Sequence, residues 1–225
     1  MSVSMPGGDA LDWRPKAVVF DCDGLLVDTE PCWTVGETEL FRRRGRGFGD
    51  AEKALLIGRS LADASVTLAE EFGEQGRERE LIEELLVLVR EAVAAGARVM
   101  PGARELVEFS AGRLPIAVAS NSPRALMDVA LERGGFAGTF EVSIAADEIA
   151  SPKPAPDMYL EACRRLGAEP GDALAFEDSS TGVRSARAAG VRCVGVPTLV
   201  NHSLEADWVW PSLADPYLLA WAESW

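Results

Sequence analysis

The sequence predicts an α/β protein, a doubly wound parallel sheet carrying an α-helical cap domain inserted after the first strand. Three observations lead there. A short apolar, β-branched run at 16–20 ends abruptly in Asp21 and Asp23, with Gly24 next, and reads as a buried strand delivering carboxylates to its C-terminal edge. From 30 to 98, apolar residues recur near helical spacing with no strand among them. From 103 onward strand and helix alternate, the pattern of a parallel sheet with helices on both faces.

Taken in order, the first strand is followed by the helical block, in which Trp33, Leu40, Phe41, Leu55, Leu61, Leu68, Leu81, Leu85 and Val89 mark the apolar faces. Its breaks fall at Gly45 to Gly49, at Gly58 and at Gly73 to Gly76. Such a block is too long for a loop and large enough for a small helical domain. The expected division is therefore a core of 1–28 and 99–225 and a cap of 29–98. A helix is expected over 103–111, a strand over 115–119 ending in Ser120-Asn121-Ser122-Pro123, a helix over 125–133 and a strand over 142–145. The segment 151–156, rich in proline, opens a helix over 158–166. A strand over 173–176 ends in Glu177-Asp178-Ser179-Ser180, and a helix over 182–189 leads to a strand over 191–196. A weak strand at 208–210 and a C-terminal helix complete the chain.

With 225 residues, the chain has room for one large domain or a core with a smaller insert. Hydrophobic content of 48% and charged content of 26% are ordinary for a globular protein. A formal charge of -14 disfavours nucleic acid and anionic membrane surfaces as partners, and an anionic substrate would need local positive charge to be held. Cys22, Cys32, Cys163 and Cys193 have neither metal-ligand nor disulfide-framework spacing, as expected of core or free thiols in a reducing compartment. Residues 1–14 read as neither a leader nor an anchor, and no apolar run approaches a transmembrane length, so a cytoplasmic protein is expected.

The chemistry gathers at the strand ends, which in a parallel sheet share one edge where ligands bind. Asp21 and Asp23 close the first strand, Ser120 and Asn121 another, Lys153 precedes a helix, and Glu177 with Asp178 ends a fourth. Each has a bland reading: Asp-x-Asp-Gly as a solvated turn, Ser-Asn as a helix cap, a lysine between prolines as a solvated side chain, and the acidic pair as capping of a helix dipole. Together they form one constellation of carboxylates, one ammonium and small polar donors. Neighbouring carboxylates repel unless a cation lies between them, and Mg2+ takes such oxygen ligands while keeping positions for water or phosphate oxygens.

DCDGLLVDTE at 21–30, SNS at 120–122, Lys153 in SPKPAPDMY and EDSSTG at 177–182 resemble the four motifs of the haloacid dehalogenase superfamily. The likeness is strongest to its β-phosphoglucomutase-like branch of sugar-phosphate phosphatases, and it covers nearly the whole chain, including a cap between the first two motifs. It implies a HAD-like, Rossmannoid core and a Mg2+-dependent phosphatase acting on a small phosphorylated metabolite, as a monomer. By the resemblance, Asp21 is the nucleophile that becomes an aspartyl phosphate, and Asp23 is the general acid and then the base. Mg2+ is held by the side chains of Asp21 and Asp178 and the backbone carbonyl of Asp23, with Glu177 ligating directly or through water. Ser120, the Asn121 region and Lys153 hold the transferring phosphoryl oxygens.

An acid at Asp23 separates the chain from family members that cleave carbon-halogen bonds and from transport ATPases. The phosphosugar mutases share the Asp pair and are the alternative. They resemble one another in cap residues whose places align here with Trp33, Ile57 and Leu61, which lack the expected His, Lys and Arg. A phosphate-accepting receiver-like module is a further alternative, and the helical insert argues against it. Arg59, beside Gly58, is the cap residue expected to contact substrate. The basic run Arg42-Arg43-Arg44-Gly45-Arg46 is expected to be a cationic helix end, His202 a surface residue, and the C-terminal tryptophans packing for the last helix.

Overall fold

A computed structural model describes residues 13–198 and 204–225. The first twelve residues and His202 lie outside the described residues, and with them the expectations made there. The chain forms two compact units, Met1–Asp28 with Arg98–Trp225, and Thr29–Ala97.

In chain order, β1 (Ala17–Phe20) runs into a tight loop and the two-residue β2 (Val27–Asp28). The helices α1 (Glu30–Arg43), α2 (Asp50–Leu56), α3 (Leu61–Phe72) and α4 (Glu78–Gly96) follow. Then come β3 (Arg98–Val99), α5 (Ala103–Ala111), β4 (Ile116–Ser120), α6 (Arg124–Gly134), β5 (Val142–Ala145) and α7 (Asp157–Leu166). The last elements are β6 (Ala173–Glu177), α8 (Ser180–Ala188), β7 (Arg192–Gly195), β8 (Trp208–Val209) and α9 (Pro216–Ala222).

Six strands form the main sheet in the order β5-β4-β1-β6-β7-β8, and every pairing is parallel. The α/β expectation therefore holds. All residues of β1, β4 and β6 are buried, as their continuous apolar runs require when helices cover both faces. Alternation along the strands puts unlike residues on the two faces. On one face Ala17, Val19, Ala117, Ala119, Ala173 and Ala175 are small, and Met158, Tyr159, Ala162 and Cys163 of α7 pack into the same cluster. On the other, Phe20 and Phe176 face each other across the β1–β6 register and stack at 5.3 Å between centroids.

After β1 the chain is led to one side of the sheet, and after β6 to the other, so strand order reverses between them. That reversal is where a doubly wound sheet opens a crevice for ligand. The short antiparallel pair β2–β3 joins Val27 to Val99 and Asp28 to Arg98 where the chain leaves and re-enters this unit. This two-residue pair carries no periodicity, and the sequence did not predict β2 or β3.

The C-terminal tryptophans pack as expected. Trp221 of α9 lies 5.3 Å from Trp208, 5.7 Å from Trp210 and 5.2 Å from Trp225 between ring centroids. Asp215 caps this helix by accepting from the Tyr217 and Leu218 amides, with Pro216 at its first position.

The second unit is a bundle in which Leu40, Phe41, Leu68, Leu81, Leu85, Val89 and Val93 are buried. A Cβ at Gly36 would lie 2.7 Å from Val89 Cγ2, so glycine permits the close approach of α1 to α4. Ser60 caps α3 by accepting from the Asp63 amide at 3.1 Å, and Gly73 ends that helix in the left-handed region. The basic run is a helix end knitted to acids: Arg42 and Arg43 pair with Glu39, Arg44 with Glu74 and Glu84, and Arg46 with Glu71. Lys53 lies between Glu30 and the buried Glu37, at 2.8 Å from each. Arg59 and Ile57 are exposed, Trp33 and Leu61 half-buried.

Candidate active site

Asp21 follows β1 at the point where strand order reverses, and β6 ends beside it in Glu177 and Asp178. The chain turns at once after Asp21: the Gly24 amide donates to the Val27 carbonyl at 2.8 Å, and the Leu26 amide to the Cys22 carbonyl at 2.9 Å. Gly24 sits at φ +81°, and a Cβ there would fall 2.2 Å from Asp178 Oδ2. Only glycine lets the loop turn this way and leaves Asp178 its place. At Gly182, in the first turn of α8, a Cβ would lie 1.9 Å from the Glu177 carboxyl carbon. The bare helix start thus gives Glu177 its room.

Lys153 is 6% exposed, and its ammonium donates to Asp21 Oδ1 at 2.6 Å, Glu177 Oε1 at 2.6 Å and the Ala119 carbonyl at 2.7 Å. The solvated reading of this lysine is excluded by that burial. Its position is set by the Asn121 side chain, which accepts from the Lys153 amide and donates to the Lys153 carbonyl, each at 2.9 Å. Asn121 is thus engaged with Lys153's backbone. Ser120, fully buried, donates to Asp23 Oδ2 at 2.6 Å and accepts from the Ser122 amide at 2.9 Å. Neither residue caps α6, whose N-terminal boundary residue is Pro123 with no side-chain cap.

Two residues at the site carried no expectation. Tyr159, fully buried in α7, donates to Glu177 Oε1 at 2.6 Å, and Thr198 donates to Asp178 Oδ2 at 3.0 Å. The sequence signal for Tyr159 was faint: a phenol one turn into the helix that Lys153 precedes, on the apolar stripe with Met158, Ala162 and Cys163. Thr198 follows β7 with no pattern to mark it. Ser179, expected only as part of an acidic cap, accepts from the Gly182 amide at 3.0 Å and is the actual N-cap of α8.

The electrostatics are those of a site with too much negative charge. Burial pushes the Asp21 carboxyl well up, Lys153 pulls it down, and Glu177, Asp178 and Asp23 push it up again. Burial, then Glu177, raises Asp178 to about 7. Burial alone would lower Lys153, but attraction to Asp21 and Glu177 outweighs it and raises this lysine, so the ammonium stays charged. One ammonium cannot balance the four carboxylates. Asp21, Glu177 and Asp178 can each bring an oxygen within 4.8 Å of the others, a donor set of hard oxygens with excess charge that fits a divalent cation such as Mg2+. Asp23 contributes its side chain to Ser120, and its carboxylate lies outside that group of three. Arg59 belongs to the other unit.

The doubly wound sheet thus carries buried carboxylates and a fixed ammonium at its reversal point. Residues 15–190 match the family model of haloacid dehalogenase-like hydrolases, and the chain belongs to that family. It is 32% identical over 192 residues to validoxylamine A 7'-phosphate phosphatase of Streptomyces hygroscopicus subsp. limoneus, covering 85% of this chain and 89% of that protein. It is 31% identical to a bifunctional riboflavin kinase/FMN phosphatase of Arabidopsis thaliana, where 96% of this chain spans 58% of the relative's length. Among solved structures, a CbbY variant from Rhodobacter sphaeroides in complex with xylulose-(1,5)bisphosphate superposes with a TM-score of 0.77 at 26% identity, over 90% of this chain and 96% of that one. With phosphatases among its relatives, the chain is an enzyme of the phosphoric monoester hydrolase class. Among the described residues, no helix is long and apolar enough to cross a membrane.

Proposed function

We propose that the protein is a Mg2+-dependent phosphatase that hydrolyses a small phosphorylated metabolite, of the sugar-phosphate class, through an aspartyl phosphate on Asp21. The observation that carries the reading is the pairing of Asp21 with Lys153 at 2.6 Å, beside an Asp23 held by Ser120 at 2.6 Å. Relatives named for validoxylamine A 7'-phosphate and FMN, and a structure in complex with xylulose-(1,5)bisphosphate, support the substrate class.

In the first step an Asp21 carboxylate oxygen attacks phosphorus and the bond to the ester oxygen breaks, with Asp23 giving that oxygen a proton. In the second, water attacks the phosphoryl group, Asp23 takes its proton, and Asp21 is released with inorganic phosphate. Ser120 holds Asp23 on one side of the site through its hydroxyl. Lys153 compensates charge on Asp21 and, once phosphoryl oxygens enter, on them as well. Asp21, Asp178 and Glu177, with the backbone carbonyl of Asp23, would hold Mg2+, which supplies positive charge for phosphoryl oxygens. Arg59 is proposed to contact the substrate from the cap. The burial of all four cysteines suits the reducing cytoplasm.

The test is phosphate release from a panel of sugar phosphates with and without Mg2+. Wild type should release phosphate only with the cation, and Asp21→Asn should abolish it. Asp23→Asn should slow it by a hundredfold or more while a phosphate mimic still binds. A wild-type rate in Asp21→Asn refutes the covalent route. Glucose 6-phosphate forming from β-glucose 1-phosphate faster than inorganic phosphate, with catalytic bisphosphate present, would instead establish the mutase.

A further inference from the structure

Glu177 Oε1 receives two hydrogen bonds, from the Lys153 ammonium and the Tyr159 hydroxyl, both at 2.6 Å. A carboxylate oxygen offers two lone pairs in its plane, and two short charge-assisted bonds use both. Oε2 has a single, longer contact, from the Ser179 hydroxyl at 3.3 Å. Only Oε2 therefore remains for a cation. Lys153 is common to the whole site, whereas the Tyr159 hydroxyl has Glu177 as its partner. The ring is fully buried in the cluster on the small-residue face of the sheet.

We propose that Tyr159 is a positioning residue that makes Glu177 a one-oxygen ligand and thereby sets the site's preference for Mg2+ over Ca2+. The reason is coordination chemistry. Mg2+ demands near-octahedral geometry with single oxygens close to it, whereas Ca2+ is larger and accepts both oxygens of a carboxylate. Blocking Oε1 denies Ca2+ the bidentate grip and leaves Mg2+ unaffected. This rests on the cation site proposed above, and it adds the group that selects the ion.

Tyr159→Phe keeps the ring and removes the hydroxyl. Mg2+ and Ca2+ affinities should be measured on substrate-free protein by calorimetry, with thermal unfolding as a control. The expected result is Ca2+ affinity raised about tenfold or more, the scale of outer-shell effects, while Mg2+ affinity changes by less than about twofold. The Ca2+/Mg2+ selectivity ratio thus shifts by fivefold or more toward Ca2+. A merely structural loss would weaken both ions equally, and that outcome overturns the proposal, as does an unchanged ratio. If wild type binds neither ion, the cation site itself is wrong and the proposal falls with it. If wild type binds Mg2+ and releases phosphate while the ratio in Tyr159→Phe stays put, only the role of Tyr159 fails.

Discussion

Replacing Lys153 by Met removes the one cation from a buried acidic cluster while keeping an unbranched stem of similar bulk. The ammonium donates to Asp21 Oδ1, Glu177 Oε1 and the Ala119 carbonyl, and the Lys153, Asp21 and Glu177 side chains are 3%, 10% and 0% exposed. Breaking a buried pair by deleting one partner costs about 3–5 kcal/mol, because the charge left behind is neither hydrated nor paired. For a chain of this size each kcal/mol moves the midpoint by roughly 2–4 °C, so the loss in EDTA at pH 8 should be roughly 6–20 °C. The sign of the pH dependence follows from the acids left behind. Without Lys153, the buried Asp21 should bind its proton more tightly in the folded state than in the unfolded chain. Its cost then accrues as pH rises through the carboxylate range and shrinks as pH falls. At about 1.4 kcal/mol per pH unit and proton, a drop from pH 8 to 5.5 recovers as much as ~3 kcal/mol. Denaturant unfolding of both proteins at the two pH values, followed by far-UV circular dichroism, measures this. A deficit below about 1 kcal/mol at pH 8, or one equal at both pH values, would falsify the picture of Lys153 as the counter-ion of a desolvated pair.

Gly24→Ala should cost more than the ~1 kcal/mol of an ordinary glycine replacement, because φ is +81° and the new Cβ falls 2.2 Å from Asp178 Oδ2. It should also abolish tight Mg2+ binding, and unimpaired calorimetric affinity would show that Asp178 is not a ligand. Asn121→Ala deletes both bonds to the Lys153 backbone, so phosphate release should fall tenfold or more with a stability loss of only about 1–2 kcal/mol. An unchanged rate would mean that Lys153 needs no clamp. Asp178 rises from 3.8 to about 7, so the folded state holds its proton more tightly than the unfolded chain. Metal-free protein should therefore lose stability as pH climbs from about 4 to about 7, and Mg2+ should raise the melting temperature more at pH 8 than at pH 5.5. Equal Mg2+ stabilisation at both pH values would contradict that coupling.

The sequence by itself determined the sheet, because β1, β4 and β6 are continuous apolar runs that only burial on both faces can satisfy. It also determined which chemical groups stand at the strand ends, since Asp21, Ser120 and Glu177 close their strands by local pattern alone. It said nothing of how these groups share one another. The resemblance assigned the Asn121 region to phosphoryl oxygens, and the fold joins its side chain across 32 residues to the Lys153 backbone. Tyr159 looked like any aromatic on an apolar stripe until packing on alanines of the sheet brought its hydroxyl to Glu177. Gly24 and Gly182 read as turn and helix-start residues, and only the approach of Asp178 and Glu177 explains why no Cβ fits. Periodicity is a property of neighbours along the chain, so it locates elements. Hydrogen-bond partners, free space and desolvation are properties of neighbours in space, and those are decided when the strands and helices pack.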